Sequence, residues 1–219
     1  MKLWSDSFVD GEAIPAEFAF ARVDPKHHVA LAPNRNPHLA WWDLPPGTRS
    51  LVLICHDFDA PSVPDDVNHP DREVPTSLAR VDFHHWVLVD LPPELASIAA
   101  GEFSDQVVPK GKAGPKTRHG ARHGLNDYTA WFAQDHDMAG EYYGYDGPCP
   151  PWNDALIHRY QFALHAIDLE RLPLEGRFTG PQVLAAMQGH LLARATISGC
   201  YSLNPRLAAQ PAPQPAPPA

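Results

Sequence analysis

The sequence predicts a mainly β protein, a sandwich of short strands with one or two helices near its C-terminal end. Three observations lead there. The 25 prolines are scattered rather than gathered; each fixes φ and removes a backbone donor, which disfavours long helices and suits strand ends and stiff loops. Four apolar or aromatic runs have strand length and end at turn residues. One stretch alone has clear helical periodicity, and it falls near the C-terminus.

The elements follow in order. Residues 50–57 (SLVLICHD) form a nearly unbroken apolar run, as a strand buried on both faces requires. Residues 83–91 (FHHWVLVDL) are aromatic and branched, and stop at Pro92-Pro93. Residues 158–168 (HRYQFALHAID) and 195–203 (ATISGCYSL) give the third and fourth strands. Between those two, Pro181 sits at a favourable first-turn position, and Val183, Leu184, Met187 and Leu191 fall on one side of a predicted helix. Residues 208–219 are almost wholly Ala, Pro and Gln. They cannot bury a core, so the folded domain is expected to span 1–207, with a disordered tail behind it.

Composition bounds the function. At 44% hydrophobic and 20% charged, the chain is ordinary for a globular protein. A formal charge of -9 and a pI near 5.7 disfavour general nucleic-acid binding, since a phosphate backbone selects basic surfaces. Cys55, Cys149 and Cys200 are too few and too spread for a disulfide framework and lack the paired spacing of a zinc site. Reduced thiols and a cytoplasmic location are therefore expected. The N-terminus meets Asp6 before an apolar run forms, so no signal peptide is expected, and no run approaches membrane-spanning length.

Strand parity selects the candidate site. On the first strand Leu51, Leu53, Cys55, Asp57 and, if the extended run continues, Asp59 share a side. On the second, Phe83 and His85 share one side, and His84 and Trp86 the other. On the third, His158 and Tyr160 share a side that Arg159 does not. If these strand ends meet, Asp57, Asp59, His85, His158 and Tyr160 line one cavity. Just upstream of the third strand stands Tyr145-Asp146-Gly147-Pro148-Cys149-Pro150-Pro151. Its three prolines supply no N–H, which leaves the Gly147 and Cys149 amides as preset donors beside the histidines, the makings of an anion site.

Asp57-Phe58-Asp59-Ala60-Pro61, then His85-Trp86, then Gly147-Pro148-Cys149-Pro150-Pro151 with His158-Arg159-Tyr160 downstream, resemble the successive signatures of a known family. It is that of the phosphatidylethanolamine-binding proteins, also called Raf kinase inhibitor-like proteins. Asn36-Pro37-His38-Leu39-Ala40-Trp41 and Pro46-Gly47-Thr48-Arg49-Ser50 resemble the family's approach to its first central strand. The resemblance runs from about residue 30 to about residue 203, and the long loops 60–83 and 101–144 look most like the bacterial branch. It implies a β-sandwich with a small pocket for phosphate, phosphorylated head groups or similar anions. It also implies that Asp57 and Asp59 shape the pocket floor, that His85 and Tyr160 reach the anion, that His158 lines the wall, and that the Cys149 amide is a backbone donor. Phe58 stands where family members usually have proline, and Tyr201 is the candidate for the C-terminal tyrosine that closes the pocket in animal members.

The function expected is binding of a phosphate-bearing small molecule or phospholipid head group, in a ligand-binding or regulatory rather than enzymatic role. Two other classes compete. A hydrolase acting on a phosphorylated or acyl substrate would use His85 and an aspartate, although the chain has no Gly-x-Ser-x-Gly and no phosphate-cradling Gly-rich loop before a helix. An inhibitor of a kinase or protease would act by protein–protein contact. No cofactor, catalytic residue or metal site is expected: His84 and His85 point to opposite faces, and Gly120 and Gly124 interrupt any helix carrying His119 and His123. Lys110, Lys112, Lys116, Arg118 and Arg122 read either as a basic flap drawing anions to the pocket or as a solvated loop. Cys149, locked among prolines with no base assigned, is expected to be structural.

Overall fold

The unbroken apolar run at the first predicted strand becomes the centre of the fold. The computed structural model describes residues 1–208. Its strands, in chain order, are β1 (Lys2–Trp4), β2 (Ala21–Asp24), β3 (His28–Leu31), β4 (Leu39–Trp42), β5 (Ser50–Pro61), β6 (Arg80–Leu91), β7 (Ser97–Ile98), β8 (Arg122–His123), β9 (His158–Ile167) and β10 (Leu191–Tyr201). Short helices α1 (Tyr128–Trp131), α2 (Gly180–Ala186) and α3 (Pro205–Ala208) join them. The predicted tail lies outside the described residues except for Ala208, which ends α3.

An antiparallel sheet of order β10-β9-β5-β6-β8 faces a smaller sheet of order β1-β4-β7, and β2 and β3 form a separate hairpin. From β5, Leu51, Leu53 and Cys55 join Trp86, Leu88, Phe162 and Leu164 and meet Leu39, Trp41 and Ile98 of the smaller sheet. Val52 and Ile54 point the other way with Val87, Val89 and Ile167, under Leu172, Phe178, Val183 and Met187 from the α2 region. Burial on both faces is why β5 reads as continuous rather than alternating.

Several boundaries differ from those read off the sequence. Strand β5 runs on to Pro61 and draws β6 back to Arg80, because Pro61 pairs with Arg80. Helix α2 is shorter than predicted. Gly189, at φ +81°, turns the chain into β10, so Leu191 is a strand residue, and Val183 and Met187 are buried while Leu184 is exposed. Strands β1 to β4 go unread in the sequence, since three or four residues carry too little periodicity to separate a strand from a loop.

Candidate functional site

A register break aims the polar side chains. Cys55 pairs with Trp86 and His56 pairs with His84, so His85 is an extra residue on β6. Such a bulge interrupts the ladder and re-aims a side chain. Trp86 joins the sandwich core beside Cys55, and His85 faces the same side, its ring 5.1 Å from that of Tyr160. Simple alternation, which sets Trp86 opposite His85, holds only for an unbroken ladder. The backbone of His85 pairs instead with the proline-rich loop. Asp146 N–H donates to the His85 carbonyl (3.0 Å), and His85 Nδ1–H donates to the Asp146 carbonyl (2.7 Å). In the neutral ring this leaves Nε2 as a bare acceptor.

Asp57 lies between Phe83 on β6 and Tyr160 on β9. Its Oδ1 accepts the Asp59 N–H (2.7 Å), and its Oδ2 accepts His158 Nδ1–H (2.7 Å). His158 Nε2–H donates to Asp154 Oδ2 (3.0 Å), and Asp154 receives both terminal nitrogens of Arg80 (2.6 and 3.0 Å). Burial by itself pushes the His158 imidazole toward neutrality, but Asp57 and Asp154 outweigh it and raise its pKa to about 9. Asp154 is held below the usual carboxylate range: burial opposes this, and His158 and Arg80 prevail. The chain Asp57, His158, Asp154, Arg80 thus sets two carboxylates against two cations and balances itself. His85 behaves differently. Burial pushes its pKa down, and the nearby Asp57 charge and the Asp146 carbonyl only partly oppose that, so the ring is neutral near pH 7.

These groups open into a cavity of about 360 Å³. Asp57, His85, His158 and Tyr160 are its buried polar part; Leu31, Val81 and Trp131, each about half exposed, mark its mouth, with Phe83 and Phe132 between. No lysine or arginine is among the described lining residues. Two donors there make no well-directed hydrogen bond among the described residues. The Tyr160 hydroxyl, on a residue only 1% exposed, has Asp57 as a neighbour but no well-directed hydrogen bond. The Cys149 amide N–H has none either. Tyr128, by contrast, donates its hydroxyl to the Gly147 carbonyl (2.8 Å) and serves as a wall.

Of the residues expected at the site, Asp57, His85, Cys149, His158 and Tyr160 line the cavity. Asp59 does not. Beyond Asp57 the register of β5 shifts again, and the Asp59 carboxylate turns to the guanidinium of Arg159 (2.9 Å to each oxygen). Gly147 lies behind the site: its N–H donates to Asn34 Oδ1 (2.8 Å), and a Cβ there would stand 2.1 Å from the Phe18 carbonyl oxygen. Tyr201 donates its hydroxyl to the Ala21 carbonyl (2.8 Å) and does not line the cavity. None of the cations between Lys110 and Arg122 lines it; Lys112 is tied to Asp146 (2.6 Å) and Arg122 to Asp90 (2.5 Å).

Sequence reasoning leaves out Asp154, Arg80 and Tyr128. Asp154 has a faint signal, an acid four residues before His158. Arg80 has none, because its pairing with Asp154 spans 74 residues of chain.

A family model described as phosphatidylethanolamine-binding protein matches residues 4–202. The UPF0098 protein YbhB of Escherichia coli is 30% identical over 203 residues, 92% of this chain and 100% of that protein. A UPF0098 protein of Aquifex aeolicus is 31% identical over 203 residues, 92% of this chain and 88% of the other. Among solved structures, Chlamydia trachomatis CT736, described as a homologue of phosphatidylethanolamine-binding protein, has a TM-score of 0.61 at 27% identity, covering 92% of this chain and 96% of that one. Escherichia coli YbcL has a TM-score of 0.63 at 24% identity, with 92% and 97% covered, and shares the fold.

Proposed function

The chain belongs to the phosphatidylethanolamine-binding protein family, in its bacterial UPF0098 branch, and we propose that its cavity binds a phosphate-bearing small molecule or the head group of a phospholipid. The observation that carries this reading is the Tyr160 hydroxyl, buried at the cavity beside Asp57 without a well-directed hydrogen bond. Orphaned buried donors are rare in native proteins, and a ligand is one reason to keep one. The Cys149 amide gives a second free donor, held between prolines with little freedom to lose. An anion with several oxygens satisfies both and rests against His85. Asp57 and His158 hold the site in shape, and Asp59 and Gly147 support the chain behind it. Burial pushes the Cys149 thiol up to about 12, so it is no ready nucleophile, which favours binding over turnover.

An anion placed against a buried neutral imidazole draws a proton into the site, so affinity is expected to strengthen as pH falls from about 8 toward 6. Calorimetric titration of phosphate or phosphoethanolamine into wild type and His85→Ala at both pH values tests this. The variant is expected to lose on the order of 1.5–3 kcal/mol of binding free energy. Equal affinities in a folded variant would remove His85 from the site and the reading with it.

A further inference from the structure

We propose that the cavity also encloses the apolar group to which the phosphate is joined, so that its ligand is an apolar-substituted phosphate ester, monoester or diester, gripped at both ends. This deepens the anion-site reading above and rests on it. The central strands fix the order of the two ends. Cys55, abreast of Trp86 on β6 and Phe162 on β9, belongs to the sandwich core. Beyond it Asp57 stands abreast of Phe83 and Tyr160, where the polar end of the cavity lies. The next pair outward among the lining residues is Ala60 with Val81, and neither carries a polar side chain. Val81 is two residues from Phe83, ~7 Å along the strand. A phosphate at the polar end therefore has apolar surface between itself and solvent.

Pieces outside the large sheet complete this apolar end. The β2–β3 hairpin supplies Val29 and Leu31, and the segment at α1 supplies Trp131 and Phe132. Tyr128 joins that wall to the polar end: its ring stacks on Phe20 (4.8 Å) and Phe132 (5.4 Å) and meets Phe83 edge-on (5.2 Å). Leu31, Val81 and Trp131 are exposed around one mouth. Apolar side chains gathered at one opening mark a binding surface, whereas scattered ones need no explanation. The described lining has no lysine or arginine, and His158 is already shared by Asp57 and Asp154. An anion gains little there from charge, so burial of its apolar group supplies the larger part of the affinity. The size agrees. A cavity of about 360 Å³ falls in the range of ~300–1,000 Å³ for sites that enclose a drug-sized ligand, more than a bare phosphate fills. A phospholipid and a small soluble ester share this chemistry.

Methyl phosphate and butyl phosphate carry the same anion on apolar groups of different length. Both are titrated calorimetrically at pH 7 into the wild-type chain and into a doubly substituted chain, Leu31→Asn with Trp131→Ala, whose changes fall on exposed side chains. A buried methylene is worth about fourfold in affinity, so butyl phosphate is expected to bind wild type at least about tenfold more tightly than methyl phosphate. In the double variant that ratio is expected to shrink to about threefold or less. Equal binding of the two esters to wild type, or a ratio untouched by the double change, overturns the apolar end and leaves the anion site standing. Failure of both esters to bind wild type overturns the anion site itself and the apolar end with it. Vesicles of phosphatidylcholine, with and without phosphatidylethanolamine, separate the two sources. Sedimentation of the wild-type chain with vesicles, reversed by butyl phosphate, identifies a membrane lipid. Binding of butyl phosphate without sedimentation identifies a soluble ester, and either result upholds a ligand gripped at both ends.

Discussion

The Tyr160 hydroxyl is buried beside Asp57 without a well-directed hydrogen bond, so its removal is expected to leave the fold unharmed. Tyr160→Phe is expected to keep or slightly raise the urea midpoint, because removing an unsatisfied buried group relieves its desolvation penalty. The same change is expected to weaken phosphate binding about 10- to 100-fold, the worth of a hydrogen bond to a charged group. A drop in midpoint with binding intact would reverse the assignment, making the hydroxyl a structural donor. Residues such as Tyr160 are legible in sequence because β9 keeps strict alternation: His158 and Tyr160 share the side that Phe162 and Leu164 continue into the core. Asp59 misleads for the opposite reason. It reads as the next residue on the Asp57 side, and the register shift after Asp57 turns it to Arg159 instead.

Among elements, the central strands declare themselves through double burial, whereas the bulge in β6 is written in no single strand. It exists only in the pairing of Cys55 with Trp86 and of His56 with His84, two partners known once the sheet is assembled. Close contacts between elements are equally hidden. Gly180 opens α2, and a Cβ there would stand 2.2 Å from Cδ2 of His84, whose Nδ1 is held by Asp127 at 3.0 Å. Helix propensity alone says Gly180→Ala gains up to about 1 kcal/mol. Packing says otherwise: the ring has no free direction to yield, and overfilling a close-packed contact costs about 1–3 kcal/mol. The variant is therefore expected to unfold at lower urea concentration than wild type; a higher midpoint would mean that α2 rides loosely on the sheet.

The whole molecule carries opposed histidines, and their balance sets how stability varies with pH. His158 has a folded pKa of about 9 against 6.5 unfolded. Its contribution, about 3 kcal/mol at 1.36 kcal/mol per unit, is complete below pH 6.5 and disappears as pH rises through about 9. His123 and His165 are shifted the other way, chiefly by burial, to about 3 and about 4. The unfolded chain takes up their protons first, so stability falls as pH drops below 6.5. Urea midpoints at pH 4.5, 6.5 and 9 are expected to peak at the middle value, and His158→Gln to flatten the alkaline side. Stability that climbed from pH 6.5 to 9 would show that His158 folds as a neutral ring.

The extra residue in β6 has a last consequence. Both the backbone and the ring of His85 are held by Asp146 rather than by β5, while its neighbour Trp86 is held by the core. The residue lining the cavity and its neighbour at the heart of the sandwich are therefore held by different partners. The loop that holds His85 also reaches the interior, because Tyr145, next to Asp146, packs against Trp86 with ring centroids 5.4 Å apart. A change at Asp146 therefore acts on His85 directly, whereas a change at Tyr145 acts on the core, and the two neighbours divide the cavity from the interior within one short loop.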